Sequence, residues 1–256
     1  MAFGTTLFIR SRTGVKLTKS GLLLYREATK MLTKLEDLRI QAQNIDHEIA
    51  GSLTVGTYDS LAEYLWPDFI ITLKEKYPHL HLSIRTSQRV NPIEDLFNGK
   101  IELLVDAEPG LKEGLISWPL YSDYFGFYVA NDFSNIHLTK ENLLKQTVMF
   151  VQQATDENGF TIIDHLDKLN LKFAHQYSFD SFSTVKRFAI KKLGIAVLPR
   201  HLAREDEEAK LIKRISLSGV SSVGFGKHTI CATTLIENQK EVRIRKIISM
   251  LKTHFK

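Results

Sequence analysis

Residues 51–105 carry the clearest pattern in the chain: GSLTVGTYDSLAEYLWPDFIITLKEKYPHLHLSIRTSQRVNPIEDLFNGKIELLV. Short apolar stretches, alternating or continuous, predict strands, and longer stretches between them have the period of helices. The predicted strands are 53–55, 80–84 and 101–105, and the predicted helices are 60–77, with a break at Pro67, and 91–98. A strand, helix, strand, helix, strand order indicates an α/β fold with a mostly parallel sheet.

A second set of the same kind follows. The predicted strands are 125–130, 148–151, 173–179 and 195–198, and the predicted helices are 161–169 and 182–193. A last strand, 228–235, and an amphipathic helix, 242–255, have no partners of their own, so we expect them to return to the first unit. The sequence therefore predicts subdomain I from residues 51–124 and 227–256, subdomain II from residues 125–226, and a cleft between them.

A long helix is predicted before these units, over residues 18–50. Thr18 has a hydroxyl that can cap its start, and Gly51 is expected to stop it. Apolar residues recur along it in steps of four and three, the pattern of a coiled-coil seam, at Leu24, Ala28, Met31, Leu35, Leu38, Ala42 and Ile45. We expect this seam to pair chains into a homo-oligomer, either a dimer or a tetramer.

The formal net charge of +5 arises entirely in the first 26 residues, which contain no acid. The remaining 29 basic residues balance the 29 acidic ones. Contact with the DNA backbone is therefore predicted for the basic end, at Arg10, Arg12, Lys16 and Lys19. No apolar stretch is long enough to span a bilayer and no signal peptide is evident, so we expect a cytoplasmic protein without a membrane partner.

Several segments resemble one family in an ordered series. Residues 7–21, LFIRSRTGVKLTKSG, resemble the wing and the start of the linker helix of LysR-type transcriptional regulators. Further matches are VGTYDSL at 55–61, LWP at 65–67, YP at 77–78, LFNGKIE at 96–102 and LGIAVLPR at 193–200. The resemblance implies a winged helix-turn-helix remnant at 1–17, a linker and dimerisation helix at 18–50, and an effector-binding domain at 51–256 similar to type II periplasmic solute-binding proteins.

The sequence departs from that family pattern at three places. The family's first three helices, including the one that enters the major groove, would precede Leu7, where only six residues stand. Either the start codon is misassigned or the chain is a shortened regulator with weak or absent DNA binding, and both readings stay open. Lys192 stands where the family has glycine, which costs about 1 kcal/mol if the backbone there is left-handed. Arg89 stands where the family commonly has a hydroxyl that reaches the effector.

Polar and aromatic residues after the predicted strands form the candidate effector site, because open α/β sheets bind ligands at that edge. They are Thr57, Tyr58, Asp59, Ser60, Ser87, Gln88, Arg89, Gln152, Phe179, Asp180, Ser181 and Phe182. Asp59 or Ser60 could equally be an ordinary helix cap, and the two phenylalanines could equally be core. The Arg89 guanidinium favours an anionic effector, although Asp59 or Asp180 could neutralise it.

No catalytic residue set is evident, and the nine histidines show no metal-ligand spacing. We therefore expect no enzyme activity, no metal site and no cofactor. The sequence predicts a LysR-type regulator that senses a small molecule between its subdomains. Two alternatives stay open: a solute-binding module unrelated to transcription, and a dominant-negative oligomerisation partner of longer relatives.

Overall fold

A computed structural model describes residues 4–11, 14–43, 49–86, 91–107, 112–133, 140–217 and 219–254. The elements in chain order are β1 (Phe8–Ser11), β2 (Gly14–Leu17), α1 (Lys19–Gln43), β3 (Gly51–Thr57), α2 (Asp59–Tyr64), α3 (Trp66–Lys76), β4 (Leu80–Thr86), α4 (Pro92–Phe97), β5 (Leu103–Ala107), β6 (Leu115–Ala130), α5 (Lys140–Leu144), β7 (Thr147–Val151), α6 (Ile162–Lys168), β8 (His175–Phe179), α7 (Phe182–Ile190), β9 (Ile195–Pro199), α8 (Arg200–Glu208), β10 (Ile212–Ile215), β11 (Phe225–Leu235), a short 3-10 helix at Ile236–Asn238, and α9 (Val242–His254).

Nine strands form one sheet in the order β4-β3-β5-β11-β6-β9-β7-β8, with β10 paired to β6. β3 is parallel to β4 and β5, and β7 is parallel to β8 and β9. β11 and β6 are antiparallel to each other and to their other neighbours. The mixed α/β architecture agrees with the fold class that the sequence predicts.

The first core packs α3 and α9 against β3 and β5. Trp66 and Phe69 of α3 are almost fully buried and meet edge to face, with ring centroids 5.4 Å apart. Ile244, Ile247 and Leu251 of α9 are completely buried in the same cluster. The carboxy-terminal helix therefore completes the core that begins at β3.

The second core lies on both faces of the sheet formed by the end of β6 with β7 and β9. Phe127 and Val129 of β6 point to one face, beneath α6, whereas Tyr128 points to the other, beneath α7 and α8. This alternation follows from the period of two in a strand. All three residues are buried, which explains why the sequence of this strand is a continuous apolar stretch without alternation.

Two strands join the cores. β6 is 16 residues long, and its first part pairs with β11 while its last part, from Phe125 to Ala130, pairs with β9 and β10. The sequence pattern predicts only the second part as a strand. Pro119 explains this, because it lacks an N–H donor and stands at a register shift opposite Cys231.

The amino-terminal hairpin β1-β2 docks on the start of α1. Thr18 caps the helix as predicted, since its Oγ1 accepts a hydrogen bond from the Gly21 N–H at 2.9 Å. The Thr18 N–H donates to the Leu7 carbonyl, and a Cβ on Gly21 would lie only 2.0 Å from that oxygen. Gly21 is thus required by the close approach of hairpin and helix.

The far end of α1 differs from the prediction. The helix is described to Gln43, and Ile49 and Ala50 are buried and not helical. Gly51 is the first residue of β3, with φ +110, and not the residue that ends the helix. Within the described residues, no helix combines the length and apolar composition that crossing a bilayer requires.

Lys192 adopts the left-handed backbone conformation that the sequence analysis anticipated, with φ +67. It follows α7, and its N–H donates to the Ala189 carbonyl while the Leu193 N–H donates to the Phe188 carbonyl. These hydrogen bonds satisfy the last carbonyl groups of the helix, an arrangement in which glycine commonly occupies the left-handed position. The Lys192 ammonium also pairs with Asp132 at 2.6 Å, but both side chains are largely exposed, so that pair adds little.

We predict that Lys192→Gly is more stable than Lys192→Ala by about 1 kcal/mol, because both variants lose the Asp132 pair and only glycine adopts positive φ without strain. Urea unfolding of the two variants measures the difference. An alanine variant as stable as the glycine variant would show that this position is not strained.

Candidate functional site

A cavity of about 420 Å³ opens between the two cores, on the side where β3, β5, β7 and β8 end. It is lined by Tyr58, Asp59, Ser60, Leu61, Asp106, Ala107, Phe125, Val151, Gln153, Ala154, Thr155, Asp180, Ser181, Phe182, Pro199, His201, His228 and Ile230. Six of these were among the predicted effector-binding residues: Tyr58, Asp59, Ser60, Asp180, Ser181 and Phe182. The volume is that of a typical small-molecule site.

The first wall follows β3 and β5. β3 ends at Thr57 and α2 begins at Asp59, so the N-cap residue is Tyr58, whose side chain makes no capping hydrogen bond. The capping interpretation of Asp59 and Ser60 is therefore wrong, and both line the cavity. Thr57 does not line it, because its hydroxyl is buried and donates to the Val105 carbonyl at 2.8 Å.

Asp106 is the buried acid of this wall, with 4% of its surface exposed. Burial raises the pKa of its carboxyl well above the usual value, and the hydrogen bond from the Ala107 N–H opposes this only in part. The charge of Asp106, together with burial, raises the pKa of Tyr58 to about 12. A phenol and a buried carboxyl thus lie close together in the cavity wall.

The second wall follows β7 and β8. Gln153 lines the cavity and its predicted neighbour Gln152 does not. Instead, Gln152 Oε1 lies 3.5 Å from the Ser178 hydroxyl. Phe179 also points away from the cavity and stacks on Phe188 with ring centroids 5.2 Å apart. The strand ends were predicted correctly, but adjacent residues point in different directions, so two of the side chains were misplaced.

Three polar side chains meet where β6, β11 and α8 adjoin the cavity. His201 Nδ1 donates to Asp123 Oδ2 at 2.5 Å, and the His201 backbone N–H donates to the same oxygen at 3.1 Å. His228 Nε2 lies 4.0 Å from that oxygen. His201 and His228 line the cavity, and Asp123 lies behind them.

The electrostatics of these groups differ from those of Asp106. Burial would raise the pKa of Asp123, but hydrogen bonds from His201 and the Tyr124 N–H, with the charge of His201, hold it below the usual value. Burial lowers the pKa of His228, against the pull of Asp123. Asp123 is thus an ionised carboxylate and His228 a neutral imidazole near neutral pH.

Three carboxyl groups are the acidic side chains of the described wall. Asp59, Asp106 and Asp180 line the cavity, and no lysine or arginine does so among the residues that the structure describes. Ser87, Gln88 and Arg89, on which the expectation of an anionic effector rested, lie outside the described residues.

Contacts between α2 and α7 bridge the two cores beside the cavity. The Ser183 hydroxyl donates to Glu63 Oε2. Lys186 is buried, its ammonium lies 3.9 Å from the centre of the Tyr64 ring, and it pairs with Asp206. Because these contacts connect α2 to α7, a change in the relative position of the two cores would alter them.

Comparisons with known proteins agree with this geometry. Residues 46–255 match the family described as LysR substrate binding domain. The chain is 22% identical over 224 residues to the uncharacterized HTH-type transcriptional regulator YkuM of Bacillus subtilis, covering 85% of this chain and 73% of that protein. It is 25% identical over 263 residues to the HTH-type transcriptional regulator CysL of the same organism, covering 99% and 84%.

A similar fold is found in solved structures. The regulatory domain of CrgA, a LysR-type transcriptional regulator from Neisseria meningitidis, superposes with a TM-score of 0.64 at 18% identity, covering 81% of this chain and all of that domain. The fold is the type II periplasmic-binding-like fold of LysR regulatory domains.

We predict that Asp106→Asn stabilises the protein at neutral pH. The folded protein holds the Asp106 proton more tightly than the unfolded chain, so the stability from this group is full below about pH 4 and falls as pH rises through the higher folded pKa. Asparagine does not ionise, so its advantage over wild type should grow with pH. Urea unfolding between acidic and neutral pH measures it, with the exposed Asp180→Asn as control. An advantage independent of pH would contradict the assignment.

Proposed function

Since the chain belongs to the LysR substrate binding domain family, we propose that it is a transcriptional regulator that senses a small molecule in the cavity between its two cores. The observation that carries this proposal is that both cores contribute walls to one cavity of about 420 Å³. A ligand in such a cavity contacts both walls at once, so it binds one relative arrangement of the cores more tightly than others.

The contacts beside the cavity support this mechanism. The hydrogen bond from Ser183 to Glu63 and the position of the Lys186 ammonium over the Tyr64 ring both connect α7 to α2. A ligand that draws the walls together strengthens these contacts, and one that separates them weakens them. The population of the closed arrangement is then the signal.

The ligand class follows from the wall. Amide and hydroxyl groups of Gln153, Thr155 and Ser181 supply hydrogen bonds, and Phe125 and Phe182 supply apolar faces. Together with the acidic side chains, these groups suit a neutral or cationic polar metabolite. They suit binding without catalysis, because no activated nucleophile is among them.

The output of the signal is proposed to pass through α1. Met31, Leu35 and Leu38 are between 50% and 70% exposed in the single chain, and Ala28 and Ala42 are exposed on the same seam. Leu24 is half-buried, and Ile45 lies outside the described residues. Pairing of two such helices removes a row of apolar side chains from water, which favours a homodimer.

The hairpin is proposed to contact DNA phosphates. Arg10, Lys16 and Lys19 are exposed, while Arg12 lies outside the described residues. Arg10 and Lys16 stand on the paired strands β1 and β2, at neighbouring register positions. Such contacts add affinity that falls with salt and does not read sequence.

The proposed sensing is tested by a thermal-shift screen of anionic, neutral and cationic metabolites. A ligand at about 100 times its Kd stabilises the protein by about 2.7 kcal/mol. Gln153→Ala should weaken a genuine ligand about fivefold to tenfold through loss of one hydrogen bond. Gln152→Ala is the matched control, since its side chain does not line the cavity. An equal loss of affinity in both variants, or a screen that finds no ligand whose binding depends on Gln153, contradicts the proposed site. Binding of an anionic ligand that is lost in Arg89→Ala would support the anionic effector expected from the sequence.

We also predict that the double variant Leu35→Asp and Leu38→Asp is monomeric in sedimentation experiments while the wild-type chain is at least a dimer. Two buried charges in each helix would oppose the seam. Leu23→Asp is the control, because Leu23 is 63% exposed on the same helix but lies off the seam. A wild-type chain that is monomeric at micromolar concentration would favour a solute-binding module.

A further inference from the structure

We propose that Asp123, His201 and His228 bind a divalent first-row transition metal ion, such as Zn²⁺, at the edge of the cavity. Among the described residues, these three form the one group whose potential ligand atoms all lie within 4.8 Å of one another. Two imidazole nitrogens and one carboxylate oxygen are a common ligand set for such ions.

His228 is oriented as metal-binding histidines are. Its Nδ1 lies 3.2 Å from the Gly226 carbonyl, which can only accept, so Nδ1 carries the proton. In the neutral ring the lone pair is then on Nε2, which faces Asp123. A histidine ligand commonly donates its other N–H to a backbone carbonyl in this way.

The backbone of β11 is built to hold that orientation. A register shift separates Phe225 from His228, and Gly226 between them has φ +58. A Cβ on Gly226 would lie 2.7 Å from the Phe125 ring. The same Phe125 ring stacks on the His228 imidazole with centroids 4.7 Å apart, so the imidazole is held by this stacking and by the hydrogen bond at Nδ1.

The distances leave a position for a cation. His228 Nε2 and Asp123 Oδ2 are two acceptors 4.0 Å apart, too far for a hydrogen bond. In a tetrahedral zinc site with bonds of about 2.0–2.2 Å, ligand atoms lie about 3.4 Å apart. To complete a three-ligand set, His201 Nδ1 would lose its proton and move from 2.5 Å to about 3.4 Å from Asp123 Oδ2, and His228 Nε2 would approach that oxygen from 4.0 Å to about 3.4 Å.

A purely structural role for Asp123 explains only part of this arrangement. Its bond to the His201 N–H caps the start of α8, and the bond to His201 Nδ1 orients that ring. Neither accounts for His228, whose Nε2 faces the same carboxylate oxygen at 4.0 Å. Because both histidines line the cavity, a bound ion would have an open coordination position there for a ligand.

The experiment uses the full chain, without a histidine tag and freed of metal by chelation, titrated with Zn²⁺ in competition with a chromophoric chelator. We expect one ion per chain. His228→Gln should weaken binding by at least about tenfold, since losing even an outer-shell partner costs about 10–100-fold. His165→Gln is the matched control: His165 also pairs with a single aspartate, Asp156 at 2.9 Å, but has no second histidine in a metal-like group.

Cobalt substitution supplies a second readout that does not depend on any variant. Co²⁺ in the wild-type chain should give the strong visible absorption of a tetrahedral site, and His201→Gln should change it. Circular dichroism shows whether the variants fold. The proposal is overturned if the wild-type chain binds no Zn²⁺, if His228→Gln binds as well as wild type, or if His165→Gln loses binding equally. Should His228→Gln fail to fold, the cobalt spectrum and the stoichiometry of the wild-type chain decide.

Discussion

The pairing of β6 with β11 is the constraint on which the rest of the structure depends. Over its first part β6 runs beside β11, and over its last part it leaves that strand for β9 and β10. One continuous backbone thereby belongs to both cores. The cavity lies where the cores diverge, and two of the proposed metal ligands, Asp123 and His228, lie on the shared strands β6 and β11. Any change in the angle between the cores must therefore bend β6 and β11 close to the cavity.

Two buried aspartates show how the surroundings of a carboxyl set its charge. Asp123 and Asp106 are exposed by only 6% and 4%, respectively. Asp123 accepts two backbone N–H bonds and one from an imidazole, and its pKa falls, whereas Asp106 accepts one backbone N–H bond and its pKa rises. Hydrogen bonds to the charged form offset desolvation when there are several of them. The two buried acids near the cavity consequently have pKa values shifted in opposite directions.

Much of the fold could be predicted from sequence, because alternation in β3 and β4 and the helix period reflect local geometry. For the same reason, the predicted ends of β3 and β8 located six of the 18 residues that line the cavity. Side-chain direction could not be predicted to one residue, as Gln152 and Gln153 show. Asp123, His201 and His228 gave no signal, since only the pairing of distant strands brings them together. Ser87, Gln88 and Arg89 lie outside the described residues, so their role stays a prediction.

The route of the chain has a consequence for synthesis. The first core runs from Ile49 to Leu251, whereas the cluster on one face of the second runs only from Tyr128 to Ile212. A ribosome adds about 5–20 residues per second, so on the order of ten seconds pass between the synthesis of β5 and that of β11. Until then the edge of β5 that β11 will cover has no strand beside it, and unpaired apolar edges invite association. The half of the protein that emerges first is thus the last to be completed.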